Sequence, residues 1–208
     1  ARETAHQLGT PVSSLMGWIQ RLNDHPKESM KLIPDMEADV ERLNEISRRF
    51  SKIGSRPKFE VININDMLIN LIEYFNRRLP TDEIKIYLEV DPQKIEILSS
   101  LVLLKWTIEN LIKNAIDSID KKQGLIQIKV KLVETKIIIT VKDNGIGIPR
   151  KDWKNVFRPG FSNKKQGWGI GLSMVKRIVQ DFLKGEVKVE SSNSKKGTSM
   201  KIILPVNN

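Results

Sequence analysis

The sequence predicts an α+β protein in two parts. The first part is an N-terminal helical hairpin that forms a dimeric four-helix bundle, and the second is an α/β sandwich whose mixed sheet is covered by helices on one face. Two observations carry this prediction: apolar residues recur at helical spacing up to residue 53, and strand-like alternation mixed with amphipathic helices follows residue 58. A short Gly-, Ser- and Pro-containing segment separates the two patterns. We therefore expect domains at 1–53 and 59–208, with a linker over 54–58.

The composition narrows the functional classes. The chain has 208 residues, of which 39% are hydrophobic, and no cysteine, so it can bury a core but has no disulfide, cysteine-bound metal or catalytic thiol. No apolar run approaches the roughly 18 residues that span a bilayer. Since the chain starts at Ala1 with a helical pattern already running, we expect a fragment of a longer protein, with any membrane anchor outside it. The net charge of +10 is spread among 25 acidic residues without a recognition helix, so no direct nucleic-acid partner is expected.

The first part is predicted to be two amphipathic helices. Apolar side chains share one helical face at Leu8, Val12, Leu15, Ile19 and Leu22, and again at Ile33, Met36, Val40, Leu43, Ile46, Phe50 and Ile53. The segment "NDHPKES" supplies the break between them. Two helices alone bury too little surface for stability, so the apolar face predicts packing against a second copy, that is, a homodimer.

The second part alternates strands and helices. "FEVININDMLINLIEYFNRRL" predicts a short strand, an Asn or Asp cap and an amphipathic helix, and "IKIYLEV" predicts a strand. A long apolar helix is expected over 97–121. Two strand pairs follow, with turns near 134–136 and 193–196. One sheet covered by helices on one face is the simplest assembly of these elements.

Three stretches of the second part together predict a nucleotide site. "ENLIKNAIDSI" places Asn110, Asn114 and Asp117 on one helical face, because they are spaced i, i+4 and i+7. An amide oxygen is a hard ligand that suits Mg²⁺. In "DNGIGIP", Asp143 directly follows an apolar strand, where its carboxylate can accept a hydrogen bond from an exocyclic amine such as that of adenine.

Glycines and cations complete this predicted site. Gly145 and Gly147 leave room for a ring to approach the backbone. The segment "GWGIGL" leads bare amides into a helix start, which favours phosphate binding. The residues assigned to the phosphates are Lys164, Lys165, Gly167, Gly169 and Gly171. Each stretch alone is a weak signal, but neither a P-loop nor a Rossmann fingerprint is present to compete with this interpretation.

The order of the motifs resembles the kinase core of sensor histidine kinases of two-component systems. "HQLGTP" is similar to the H box, "NLIKNA" to the N box, "DNGIGIP" to the G1 box, "VFRPGFS" to the F box, "GWGIGL" to the G2 box and "GTSMKIILP" to the closing Gly-Thr strand. The resemblance spans His6 to Pro205. It implies a dimerisation and phosphotransfer hairpin followed by an ATP-binding domain of the gyrase, Hsp90, histidine kinase and MutL superfamily.

The resemblance also implies what these residues do. His6 is autophosphorylated from ATP with Mg²⁺, and the phosphoryl group passes to an Asp of a response-regulator receiver domain, on which the protein also acts as a phosphatase. By matching positions, the resemblance implies that Asn114 binds Mg²⁺ and that Asn110 supports the phosphates. It implies that Asp143 recognises adenine, with Thr198 behind it. Phe157 and Phe161 would anchor the lid, and Leu172 of the G2 box would contact the cofactor. Such a core works in the bacterial cytoplasm, and the full-length protein can be membrane-anchored.

The first helix carries the predicted phosphorylation site. On a helical wheel His6 lies nearly opposite the apolar face and therefore points to water, where a neutral imidazole has a lone pair available for attack. Thr10 follows one turn later on the same face, where it can position water for the phosphatase reaction. Gln7 stands where related kinases usually place Glu or Asp, and an amide cannot accept the imidazole proton. Glu3, one turn earlier, is a candidate substitute.

Two other functions remain open from the sequence. An ATP-hydrolysing switch of the Hsp90 or MutL kind needs a Glu at the position of Asn110, whereas Glu109 is one residue off, about 100° around the helix. A catalytically weak, nucleotide-binding dimeric scaffold is the other alternative, and Gln7 keeps it open. Phosphorylation of His6 separates the kinase from both.

Overall fold

The computed structural model of the chain describes residues 14–25, 30–37, 39–40, 57–79, 83–120, 123–162 and 169–206. The chain divides into two compact units, Ala1–Pro57 and Lys58–Asn208, and each unit has its own architecture. Within the described ranges, no helix has both the length and the apolar character needed to cross a membrane.

The first unit contains two helical segments that contact each other. They cover 14–24 and, with position 38 left out, 30–40. Ser14 Oγ and Trp18 Nε1 donate hydrogen bonds of 2.7 and 2.9 Å to the same carboxylate oxygen of Asp39, which is only 2% exposed. Because the start of the first segment meets the end of the second, the two segments run antiparallel.

The second unit contains seven strands and three α-helices among its described residues. In chain order they are β1 (Glu60–Asn63), α1 (Ile64–Asn76), β2 (Ile84–Glu89), β3 (Glu96–Ser99), α2 (Leu101–Ser118), β4 (Gly124–Val133), β5 (Lys136–Asp143), α3 (Gly171–Arg177), β6 (Glu186–Asn193) and β7 (Gly197–Pro205). Short 3₁₀ turns cover Arg150–Asp152 and Asn155–Phe157, and α3 continues as a π-helical turn over Ile178–Phe182.

Five strands form one mixed sheet in the order β2-β4-β5-β7-β6. Strands β2 and β4 are parallel, and the other neighbours are antiparallel. Strands β1 and β3 form a separate antiparallel ribbon. The mixed five-stranded sheet and its helices confirm the predicted α+β class.

The core lies between the sheet and the helices. Side chains on the inner face of the sheet alternate with exposed ones, and the buried apolar set is Ile86, Ile126, Ile128, Val130, Ile137, Ile139, Val141, Val187, Val189, Met200, Ile202 and Leu204. Leu104, Ile108, Leu111 and Ile112 of α2 are at most 1% exposed and pack in the same cluster. Asn63 caps α1 as predicted, because its side-chain oxygen accepts a hydrogen bond from the Asp66 amide.

One predicted element differs in the structure. The long helix expected over 97–121 begins only at Leu101, and β3 precedes it. Ile95, Ile97 and Ser99 are all buried with exposed residues between them, which is the two-residue period of a strand. Ile97 pairs with Ile62 of β1. The apolar residues before position 100 therefore belong to the ribbon rather than to the helix.

Candidate functional site

Three polar side chains form one row across the inner face of the sheet. Asp143 ends β5, Thr198 lies beside it on β7, and Ser192 pairs with Thr198 on β6. Asp143 Oδ1 accepts hydrogen bonds from the amides of Gly145, at 2.9 Å, and of Thr198, at 3.1 Å. Asp143 is 6% exposed and Thr198 5%. A carboxylate and a hydroxyl are thus held at the edge of an otherwise apolar core.

The glycines around this row are required by close packing, in addition to leaving the predicted space for a ring. A side chain at Gly145 would collide with Ser118 at the end of α2, and the Ile146 amide donates to the Ser118 carbonyl at 3.0 Å. Gly147 has a φ of +78°, which few other residues adopt, and lies against the backbone of Asn193. The loop after β5 is therefore fixed between α2 and the β6–β7 turn.

The predicted amide face of α2 meets the start of α3. Asn110 and Asn114 are half-buried, and Asp117 is exposed one turn further on. Asn110 Nδ2 donates to the Trp106 carbonyl at 2.9 Å. A Cβ built on Gly171 would lie 3.3 Å from Asn110 Oδ1 and 3.8 Å from Asn114 Nδ2. The bare backbone at the start of α3 therefore faces both amides.

The F-box residues anchor the segment that precedes α3. Phe157 is 8% exposed, and Phe161 is half-buried against the core, as is Leu172 at the first turn of α3. The Gly160 amide donates to the Gly169 carbonyl at 3.2 Å, which brings the two flanks of the intervening segment together. Lys164, Lys165 and Gly167 fall on positions 163–168, outside the described residues.

The residues of the predicted phosphorylation motif, His6, Gln7 and Thr10, also lie outside the described residues. The structure brings together the predicted adenine-binding and phosphate-binding residues. One end of the site has Asp143 and Thr198, and the other has Asn110, Asn114 and Gly171. Both ends flank α2, whose end contacts the loop after β5 and whose middle faces α3.

Two further residues, which were not among the predicted ones, support the site. Ser192 Oγ lies within hydrogen-bonding distance of the Ile148 amide and of Thr198 Oγ1. Asn144 Oδ1 accepts from the Leu125 amide at 2.9 Å, and Asn144 Nδ2 donates to the Gln123 carbonyl at 3.0 Å. The Asn directly after Asp143 was a visible signal, because Asn side chains commonly bond to nearby backbone at the end of a strand.

The chemistry of the two ends fits different parts of a nucleotide. The row with Asp143 offers hydrogen-bond acceptors to an amine, whereas the other end offers amides and a bare helix start to anionic oxygens. No group of three or more His, Cys, Asp or Glu residues that could hold a metal occurs in the described part of the chain. A Mg²⁺ at the amide end fits the mode in which one or two protein oxygens are completed by phosphates and water.

The comparison with protein families identifies the class. The profile described as Histidine kinase-, DNA gyrase B-, and HSP90-like ATPase matches residues 100–208, more than half of the chain. The chain belongs to this family. At the family level, residues 100–208 are an ATPase domain of the kind that histidine kinases, DNA gyrase B and HSP90 share, which confirms the predicted ATP-binding domain.

Individual relatives are sensor and sporulation kinases. The chain is 30% identical to Sporulation kinase D of Bacillus subtilis (strain 168), over 99% of the chain and 41% of the relative. It is 28% identical to Sensor histidine kinase ZraS of Salmonella typhimurium, over 99% of the chain and 45% of the relative. The chain therefore spans less than half the length of these curated relatives.

Solved structures show the same fold. The catalytic domain of histidine kinase ThkA is 26% identical, with a TM-score of 0.65 over 72% of this chain and 96% of that one. A structure of histidine kinase ThkA in complex with response regulator protein TrrA has a TM-score of 0.73 at 23% identity, over 98% of this chain and 60% of that one. At that identity the second likeness concerns the fold alone.

Proposed function

We propose that this chain is the core of a protein histidine kinase that phosphorylates its own His6 from ATP and passes the phosphoryl group to an Asp of a response-regulator receiver domain. The observation that carries the proposal is the two-ended site, with acceptors at Asp143 and Thr198 and facing amides at Asn110 and Asn114. The sensor kinases among its relatives support the same function. We place the reaction in the bacterial cytoplasm, where ATP is available.

In this proposal the nucleotide lies along α2. The adenine amine donates to the Asp143 carboxylate, with Thr198 behind it. The phosphates lie over the start of α3, near Gly171, where backbone amides and the helix dipole favour negative charge. Asn110 supports the phosphates. The phosphate end of the site is completed by Gly169 and Leu172, together with the predicted phosphate-binding residues Lys164, Lys165 and Gly167.

Asn114 is the proposed Mg²⁺ ligand. Its amide is on the face of α2 that meets the bare backbone of Gly171, so an oxygen there is close to the proposed position of the phosphates. When bound, Mg²⁺ neutralises charge on the phosphates. Asp117, exposed one turn further on, adds negative charge on the same side and attracts the cation.

The proposed transfer uses an imidazole nitrogen of His6. Its lone pair forms the new bond to the γ-phosphorus while the bond to the β-phosphate oxygen breaks, and ADP takes that electron pair. The other ring nitrogen loses its proton. Gln7 orients the ring but cannot accept this proton, so the base is water or Glu3. A general base contributes roughly 10²- to 10⁴-fold in rate, and we therefore expect a slow kinase in which Gln7→Glu raises the rate of phosphorylation.

The proposed phosphatase activity toward the receiver domain is assigned to Thr10. Its hydroxyl, one helical turn after His6, positions a water for attack on the aspartyl phosphate of the receiver. We expect Thr10→Ala to spare phosphorylation of His6 and to slow receiver dephosphorylation. Equal loss of both activities would instead mean damage to the helix.

A homodimer is proposed through the first unit. Met16, Ile19, Met30, Ile33 and Val40 are each at least 42% exposed in the single chain, although they belong to helices with buried positions at Leu32 and Asp39. Exposed apolar side chains at helical spacing are explained by a second hairpin that covers them in a four-helix bundle. A monomer at micromolar concentration would contradict this assembly.

The test of the proposed function is labelling with γ-³²P-ATP and Mg²⁺. We expect acid-labile, alkali-stable label that is lost in His6→Gln and retained in His25→Gln, the matched control at the other histidine of the chain. Release of phosphate without label on the protein would identify a hydrolysing switch. Tight ATP binding with neither product would identify a scaffold.

A further inference from the structure

Ser192 has three polar neighbours at hydrogen-bonding distance. Its Oγ lies 2.6 Å from the amide nitrogen of Ile148, 2.9 Å from Thr198 Oγ1 and 3.3 Å from the carbonyl oxygen of Gly197. The three neighbours come from the loop after β5 and from the start of β7. Ser192 therefore joins the two segments that border Asp143.

The direction of each bond follows from the number of protons. A serine hydroxyl has one proton and two lone pairs. The Ile148 amide can only donate and the Gly197 carbonyl can only accept, so the Ser192 proton points to Gly197 and one lone pair receives the Ile148 proton. The second lone pair is left for the proton of Thr198. This is the assignment in which all three contacts are hydrogen bonds.

The opposite direction of the hydrogen bond between Ser192 and Thr198 is less favourable. If Ser192 donated its proton to Thr198, its oxygen would face the Gly197 oxygen at 3.3 Å with no proton between them. The lone pairs of two oxygens repel each other at that distance, and a partly buried polar pair without a proton costs free energy. The Thr198 hydroxyl would also need another acceptor for its own proton.

We infer that Ser192 sets the base preference of the nucleotide site. By taking the proton of Thr198, it leaves only lone pairs on Thr198 Oγ1 toward the ligand, beside the carboxylate of Asp143. Both groups then accept hydrogen bonds, so the site favours a purine with a 6-amino group over one with a 6-oxo group. Ser192 is a positioning residue that acts through Thr198. This inference rests on the proposed placement of adenine at Asp143.

The test compares ATP with inosine triphosphate (ITP), which differs at the 6-position and in the protonation of the neighbouring ring nitrogen. Dissociation constants of both nucleotides with Mg²⁺ are measured by calorimetry on the full chain. In Ser192→Ala the Thr198 hydroxyl is free to rotate and donate to a 6-oxo group. We expect the preference for ATP over ITP to fall about tenfold, the effect of one hydrogen bond.

The control and second variant separate base preference from general damage. Ser191→Ala removes a hydroxyl from the exposed neighbouring position and should leave the preference unchanged. Thr198→Val should lower it as Ser192→Ala does, and the double variant should show no further loss, because the two hydroxyls act as one unit.

Three outcomes overturn the inference. If Ser192→Ala weakens ATP and ITP by the same factor, Ser192 only supports the loop. If Ser192→Ala does not fold, an unchanged preference in Thr198→Val overturns it instead. If the unmodified chain binds neither nucleotide, the proposed function fails together with the inference, whereas binding without a change of preference removes the inference alone.

Discussion

Replacing Asp143 by Asn separates the structural role of this residue from its proposed role in binding adenine. Asp143 Oδ1 accepts two backbone amides, from Gly145 and Thr198, in a position that is almost fully buried. Asn is nearly the same shape and keeps an oxygen for both amides. It removes the charge and replaces the other carboxylate oxygen with an NH₂ group, so an acceptor toward the ligand becomes a donor.

The expected stability loss follows from the two hydrogen bonds. A bond to a charged acceptor contributes about 1.5–3 kcal/mol and a neutral one about 0.5–1.5 kcal/mol, so Asp143→Asn should lower the free energy of unfolding by about 2 kcal/mol. Asp143→Ala leaves both amides without an acceptor and should cost about 4 kcal/mol, close to the whole stability of a marginal domain. Asn is therefore the informative substitution, and Ala is not.

The substitution should cost more free energy of ATP binding than free energy of unfolding. With an NH₂ group facing the adenine amine, two donors oppose each other, and we expect ATP affinity to fall about 100-fold. Urea unfolding and calorimetry with ATP measure the two effects on the same sample. Asp152→Asn, in the short turn at 150–152, is the control and should change neither quantity appreciably. Unchanged ATP affinity in a folded Asp143→Asn protein would refute the placement of adenine.

Three further predictions concern other parts of the catalytic domain. Asn114→Ala should abolish Mg²⁺-dependent labelling while circular dichroism stays unchanged; undiminished labelling would contradict its role. Gly197→Ala should lower the unfolding free energy by 2 kcal/mol or more, on the order of a strained backbone position, because its φ is +78° and a side chain would collide with the Asp143 carbonyl; an unchanged urea midpoint would argue against this packing. Lys201 and Ser199 lower the pKa of Glu190 from its ordinary value of 4.5, so the stabilisation from its carboxylate is present above that ordinary value and is lost as pH falls through the lowered pKa. Glu190→Gln should therefore be destabilising at pH 7, and a deficit that persists in acid would contradict this.

Local pattern was sufficient for much of the fold. The cap at Asn63, the strand β2 and both hairpin turns were predicted from alternation and turn residues, because those signals act over a few neighbours. The start of α2 could not be predicted in this way. Ile97 and its neighbours are apolar enough for either a strand or a helix, and only the partner strand β1, more than 30 residues earlier, decides between them.

The site shows the same division. Asp143 and the amides of α2 follow from motif and spacing, but the position of Ser192 depends on a register shift. Simple alternation from Val187 and Val189 would turn Ser191 inward and Ser192 outward. A β-bulge between Val189 and Ser191 reverses this, so that Ser192 pairs with Thr198. A one-residue shift of this kind is set by the partner strand and the turn, which the local sequence does not reveal.

The proposed site requires one nucleotide to extend from Asp143 to the start of α3. Amide chemical shifts of the ¹⁵N-labelled chain test it directly, with adenosine, inorganic triphosphate with Mg²⁺, and ATP with Mg²⁺ as three separate ligands. We predict that adenosine shifts the amides of Gly145 and Thr198, that triphosphate shifts those of Gly169 and Gly171, and that ATP shifts both pairs. If ATP shifts only one pair, or if adenosine shifts the pair at α3, the two ends do not form one nucleotide site.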